Sequence, residues 1–297
     1  MKLTIDDKNL LKSYFRNDYH IHEVLNYIDS LIGFIEIKDK NLRFIIYYTR
    51  DDMSDIPLSF IRELIRDRYR GLITHKEIIL HLILSPALKR FEDGDLTGKN
   101  VNSGFTFVNR NDIYIFRKEE FPKVILHELI HHESHIHQDK YKKINDIELK
   151  KVFNINLTSN IILNEAIVEL WATLMHLIFV SKKYKIDLIK LFTIELNYSL
   201  FKVYQLFTKQ SKMPHTIWND NSNIYAYIIF KTIFMFNLKE LRKIYDYPNL
   251  YDDTLLTQFL CKYKQLPVVT SNPNYIIHGK LIERDELSLC FMLFSDL

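Results

Sequence analysis

A chain of 297 residues with 47 % hydrophobic content has enough apolar side chain for one large core or two modest ones, at roughly 150 residues per domain, which excludes disorder as its main theme. Its 40 basic and 37 acidic residues leave a net charge of +3 dispersed along the chain, unlike the clustered basic surplus of a binder of nucleic acid or anionic membrane. Two cysteines, Cys261 and Cys290, supply neither a disulfide framework nor a thiolate metal cluster.

At the N-terminus Asp6 and Asp7 interrupt any apolar run, so no secretory signal is expected. The longest apolar stretches also fail as membrane spans: residues 161–180 carry Asn164, Glu165 and Glu169, and residues 224–238 carry Lys231. Each such charge at a bilayer centre costs about 2.5–3.5 kcal/mol. The expectation is a cytoplasmic protein with neither membrane nor nucleic acid as partner. Alanine occurs only at positions 87, 166, 172 and 226, so cores must be built from Ile, Leu, Phe and Tyr.

In chain order, residues 10–32 place Leu10, Leu11, Phe15, Val24, Leu25, Ile28, Leu31 and Ile32 at helical spacing, and residues 42–48 form a β-branched and aromatic run suited to a strand. Pro57 predicts the start of a helix reaching about Tyr69 and ended by Gly71, and Thr74 predicts a capped helix reaching Leu84 before Ser85-Pro86. Residues 92–104 read as a loop with three X-Gly turn signals. Two short β-rich runs, 105–108 and 113–116, joined by Asn109-Arg110-Asn111-Asp112, predict a hairpin.

Pro122 then occupies the first turn of a long helix whose buried side is Val124, Ile125, Leu129, Ile130 and Ile136. After a polar stretch over 138–158, Ser159 or Asn160 is the expected cap of a second long helix reaching about Val180. Two further helical patterns lie near 186–208 and 222–245.

The helix starting at Pro122 carries His127, His131, His132, His135 and His137. His127-Glu128-Leu129-Ile130-His131 puts two imidazoles at i and i+4, about 6 Å apart along one face, where both reach one tetrahedral Zn²⁺. Glu128 lies about 100° round the helix from His127, placed to accept a proton from a metal-activated water without filling a coordination position. Those are the requirements of metal-assisted hydrolysis. His135 is excluded as a co-ligand of His127, because eight residues of helix separate them by about 12 Å.

A third ligand is needed, and two candidates stand. His137 completes the metzincin spacing, but the position at which that family has glycine is Ser134, and in an unbroken helix His137 points about 240° away from His131. The other candidate is in the second long helix. There Asn164-Glu165-Ala166, with Glu169 three residues on, follows the upstream His-Glu-x-x-His and resembles the gluzincins, the thermolysin-like and aminopeptidase-like zinc metallopeptidases. The resemblance covers roughly residues 103–172, and the chain as a whole is similar to the compact zincin-like proteins of large DNA viruses. It implies His127, His131 and Glu165 as zinc ligands, Glu128 as general base, and Glu169 as the acceptor that orients a ligand histidine. The connection over positions 132–164 is longer than in the best-known gluzincins.

The fold so implied is α+β and zincin-like: a small mixed sheet, an active-site helix and a mostly helical C-terminal part. An N-terminal mixed α/β subdomain over 1–95 would precede a zincin-like catalytic domain over 96–297. The expected activity is hydrolysis of a peptide or protein substrate with Zn²⁺ as cofactor. Three other readings stay open: a zincin-fold binding or scaffold protein with a structural zinc closed by His132 or His135, a metzincin-type peptidase using His137, and an all-helical module without metal. An extended substrate would lie along an edge strand from residues 102–107 or 113–116. Tyr198, His215, Tyr225 and Tyr227 lie downstream as candidate oxyanion donors.

Overall fold

The first helix is set by a reciprocal cap, in which the Asp7 N–H donates to Thr4 Oγ1 at 3.2 Å and the Thr4 N–H donates to Asp7 Oδ2 at 2.8 Å. A computed structural model of the chain describes residues 1–15, 21–39, 41–51, 58–69, 77–90, 97–107, 110–133, 143–159, 161–212, 217–218, 222–245 and 253–282. These form an α+β protein whose five-stranded mixed sheet is followed by a helical remainder. The described chain gathers into two units, Met1–Lys89 with Asn102–Glu133, and Arg90–Val101 with Ser134–Leu297.

In the first unit the elements are α1 (Ile5–Ser13), α2 (His22–Ser30), β1 (Gly33–Asp39), β2 (Leu42–Tyr48), α3 (Leu58–Tyr69) and β3 (Ile78–Ser85). After α4 (Gly98–Val101), which belongs to the second unit, come β4 (Gly104–Thr106), β5 (Asp112–Arg117) and α5 (Phe121–Glu133). The sheet order is β1-β2-β3-β5-β4. The two outer pairs, β1/β2 and β4/β5, are antiparallel, and β3 runs parallel to both β2 and β5.

Over its described residues the helix expected from Thr74 to Leu84 is instead the central strand β3, and Thr74 lies outside them. Its run Ile78-Ile79-Leu80-His81-Leu82-Ile83-Leu84 is buried on nearly every position, and a strand covered on both faces loses the alternation that separates it from a buried helix. Alternate residues go to two cores. Ile78, Leu80, Leu82, Ile113 and Ile115 pack with Phe121, Val124, Ile125 and Leu129 of α5 and Ile61 of α3. On the other face Ile45, Tyr47, Ile83, Tyr114 and Phe116 pack under Leu11 of α1, Phe15 just after it, and Val24 and Ile28 of α2. Each fully buried large side chain of this kind contributes about 1.5–3 kcal/mol of transfer free energy. The helical signal over 10–32 resolves into α1 and α2, and part of the loop expected over 92–104 forms α4.

The junction that launches α5 is strained and braced. Leu84 and Glu120 both sit at φ +49°, at about 1 kcal/mol or more each for a residue with a Cβ, and the β3/β5 register shifts between Leu82 and Ser85. Ser85 Oγ donates to the Phe116 carbonyl at 2.6 Å and the Lys118 N–H to the Ser85 carbonyl at 2.8 Å. Beneath them Glu120, buried, is ion-paired to Lys89, with Lys123 Nζ 3.5 Å away.

The second unit holds α6 (Lys143–Val152), α7 (Leu163–Tyr184), α8 (Leu188–Ser211), a π-helical turn (Tyr225–Phe230), α9 (Lys231–Phe236), α10 (Leu238–Leu241), α11 (Asp253–Lys262) and a hairpin of β6 (Tyr275–Ile277) and β7 (Lys280–Ile282). One core joins Ile167 and Leu170 of α7 to Trp218, Tyr225, Phe230 and Phe259. A second joins Leu177 and Val180 to Leu191, Tyr198, Phe201 and Ile277. The cap expected at Ser159 or Asn160 lies elsewhere: α7 starts after Ile162, whose N–H is held by Asn223 Oδ1 at 2.9 Å, and Asn160 lies outside the described residues. By length and composition α7 could cross a membrane, and 78 % of its apolar window is buried inside the fold.

Candidate metal centre

Helix α5 is buried nearly all round. Val124, Ile125, Leu126, Leu129 and Ile130 are each at most 4 % exposed, so the polar residues between them are carried into the interior. His127 and Glu128 are buried and His131 is half-buried. The two imidazoles meet edge to face with centroids 4.8 Å apart, and His127 Nε2 stands 3.1 Å from His131 Nε2. Two ring nitrogens aimed at each other at that distance need a proton or a cation between them.

In the second unit, Glu165 and Glu169 lie one turn apart in the first half of α7, each 5 % exposed. Buried carboxylates on an apolar helix need a partner or an ion. The Glu165 position has local support, since it falls in the first turn, where the helix dipole favours negative charge. The polar line continues along the same helix with Thr173 and His176, both about 1 % exposed, and Thr173 Oγ1 donates to the Glu169 carbonyl at 2.7 Å.

The sequence pattern adds Glu165 of α7 as a third donor to the histidine pair. Tetrahedral ligands at about 2.0–2.1 Å from a zinc ion are about 3.3 Å from one another. The 3.1 Å between the histidine nitrogens matches that spacing, and the set of two imidazoles and a carboxylate is one zinc takes readily. The histidine pair fits the metal. Ser134, His135 and His137 lie outside the described residues, as does His215.

The remaining candidates separate clearly. β4 forms one edge of the sheet, whereas β5 lies between β3 and β4, so the run 113–116 has neighbours on both sides and is no edge strand. Tyr225 Oη donates to Gln210 Oε1 at 2.6 Å within the core, which commits it to packing. Tyr198 is buried, with Lys202 Nζ 5.0 Å from its ring centroid, and Tyr227 is half-buried against the same core as Tyr225.

Sequence reasoning missed two buried polar groups. In the helical unit Lys231 Nζ donates to Ser199 Oγ at 2.8 Å and lies 3.9 Å from Glu195 Oε1, all three buried. The signal was present, because Glu195, Ser199 and Lys202 interrupt α8 at helical spacing. On the sheet, Tyr47 Oη and His81 Nδ1 are 3.0 Å apart, and His81 Nε2 and Asp112 Oδ1 are 2.9 Å apart. An ionised Asp112 only accepts, so Nε2 carries the proton and Nδ1 accepts from the tyrosine. The hydrogen bond from His81 holds the Asp112 carboxyl below the ordinary carboxylate range, while burial pushes the Tyr47 and Tyr114 phenols up. No protein-family model, no curated protein and no solved structure matches the chain.

Proposed function

We propose that the chain is a zinc-dependent metallopeptidase of the gluzincin type, built on a zincin-like fold. The observation that carries the reading is the His127–His131 pair, whose Nε2 atoms stand 3.1 Å apart, with Glu128 beside the first of them. His127 and His131 bind through Nε2, which leaves the proton of each ring on Nδ1. Glu165 supplies the third ligand oxygen. Glu169, one turn further along α7, is the acceptor for the Nδ1 proton of a ligand histidine, fixing its tautomer.

Zinc held by these three residues would supply Lewis acidity toward a water and a peptide carbonyl. The chain's own proton chemistry falls to Glu128. Its carboxylate takes the proton of the attacking water and hands it to the leaving amine nitrogen, a contribution of about 10²–10⁴ in rate. The burial of Glu128 excludes bulk water from competing for that proton. An extended peptide would lie beside β4, the sheet edge that packs on α5.

The test is metal analysis of the purified full-length protein together with hydrolysis of fluorescein-labelled casein. About one zinc per chain, and cleavage abolished by Glu128→Gln with the zinc retained, are the expected results. A protein that carries its zinc but cleaves nothing would be a binding protein with a structural metal. A protein that takes up no zinc would end the reading.

A further inference from the structure

Gly104 opens β4 directly over α5. A Cβ at this position would lie 2.9 Å from Val124 Cγ1, 3.0 Å from the Tyr114 carbonyl oxygen and 3.1 Å from Glu128 Cγ. Among the described glycines only Gly279 has positive φ, so the backbone at Gly104 is one that any residue adopts. What the position requires is space.

The three neighbours differ in how far they can yield. The Tyr114 carbonyl belongs to the β4/β5 ladder, where Phe105 pairs with Tyr114 and Gly104 with Ile115. Val124 is buried in the core between helix and sheet, and a β-branched residue in a helix has essentially one χ1 rotamer. Glu128 alone has several rotatable bonds, so a methyl group added at 104 is accommodated by turning the Glu128 side chain.

We propose that Gly104 is a positioning residue for Glu128: its bare Cα lets the edge strand press on the aliphatic stem of the glutamate and so fixes where the carboxylate points. The inference rests on Glu128 being the general base, and gives the edge strand a role apart from any contact with substrate. A proton acceptor must sit within hydrogen-bond reach of its donor, and a misplacement of about 1 Å costs on the order of 10² in rate.

The experiment compares wild type with Gly104→Ala in the full-length protein. With zinc bound and fluorescein-labelled casein as probe, the maximal rate falls about 10- to 100-fold, while the half-saturating concentration and the zinc content stay as in wild type. A second readout needs neither metal nor turnover. In zinc-free protein labelled with ¹³C at the glutamate side-chain carboxyl carbons, the Glu128 resonance is identified by its loss in Glu128→Gln. Gly104→Ala shifts that resonance and leaves those of distant glutamates in place.

Val124→Ala removes the nearest obstacle, so in the double variant the added methyl backs away from Glu128. The shift, measured against Val124→Ala alone, is then smaller but in the same direction. That pair also serves if the single variant does not fold. An unmoved Glu128 resonance in a folded Gly104→Ala or double variant, or a shift spread evenly over all glutamates, overturns the proposal. If the wild type neither binds zinc nor cleaves casein, the peptidase reading falls while the resonance still decides the contact between Gly104 and Glu128.

Discussion

His127 and His131 hold their Nε2 atoms 3.1 Å apart, one turn from each other on a helix that is buried nearly all round. Nitrogens so arranged share a proton or a cation, and the proposed zinc suits their spacing. Protein dialysed against metal-free buffer should therefore retain about one zinc per chain, removable by excess chelator. His127→Ala should bring the content to background by elemental analysis. Unchanged zinc in that variant would remove the histidine pair from the metal.

Glu128→Gln separates holding the metal from using it. The amide keeps the shape and cannot take a proton, so zinc content and thermal unfolding should match wild type while casein cleavage falls by about 10²- to 10⁴-fold. Loss of zinc would instead make Glu128 a ligand. Retained cleavage would remove it from the mechanism.

Glu165 and Glu169 should differ in degree. Glu165→Ala removes a ligand and should abolish tight binding, whereas Glu169→Ala should weaken it by about 10- to 100-fold, the usual effect of losing the group that orients a ligand. Competition with a graded series of zinc chelators reads both. Should the order come out reversed, Glu169 would be the ligand.

The chain from Tyr47 through His81 to Asp112 makes stability depend on pH in a direction fixed by its pKa shifts. The Asp112 carboxyl is depressed in the fold, chiefly by its hydrogen bond from His81, so its contribution is present above the unfolded value of about 3.9 and is lost as pH falls through the folded one. The Tyr47 phenol is raised by burial, so its contribution is present below about 10 and is lost as pH rises through its folded value. Asp112→Asn should cost about 1 kcal/mol at pH 7 and almost nothing near pH 2. Tyr47→Phe should soften the alkaline loss of stability. Urea unfolding across the pH range measures both, and a constant cost of Asp112→Asn down to pH 2 would contradict the assignment.

Glu120, nearly fully buried and ion-paired to Lys89, braces the entry to α5. Removing one partner of a buried pair strands the other, at about 3–5 kcal/mol. Glu120→Ala should lower Tm by roughly 10 °C, given about 2–4 °C per kcal/mol for a protein of this size. A shift within a degree or two would show that the lysine finds another partner.

The elements legible from sequence were those whose periodicity meets one environment. Residues 42–48 form β2, Pro122 lies in the first turn of α5, and the hairpin signal around residues 105–116 forms β4 and β5, although Val108 and Asn109 lie outside the described residues. The candidate metal residues were legible because ligation would impose its own spacing, i and i+4, independent of the fold around it. What stayed hidden depends on partners far along the chain. β3 looks helical until sheet neighbours cover both its faces. Likewise the start of α7 is set by Asn223, which caps Ile162 from 61 positions away.

The division of the chain into two interrupted units bears on its synthesis. The sheet of the first unit grows as β1, β2 and β3, then the chain leaves for Arg90–Val101 before returning with β4, β5 and α5. A nascent chain that has just produced residue 90 therefore carries a long apolar strand, β3, with one edge still waiting for β5. Such an edge pairs readily with other chains. At about 5–20 residues per second the wait lasts a few seconds.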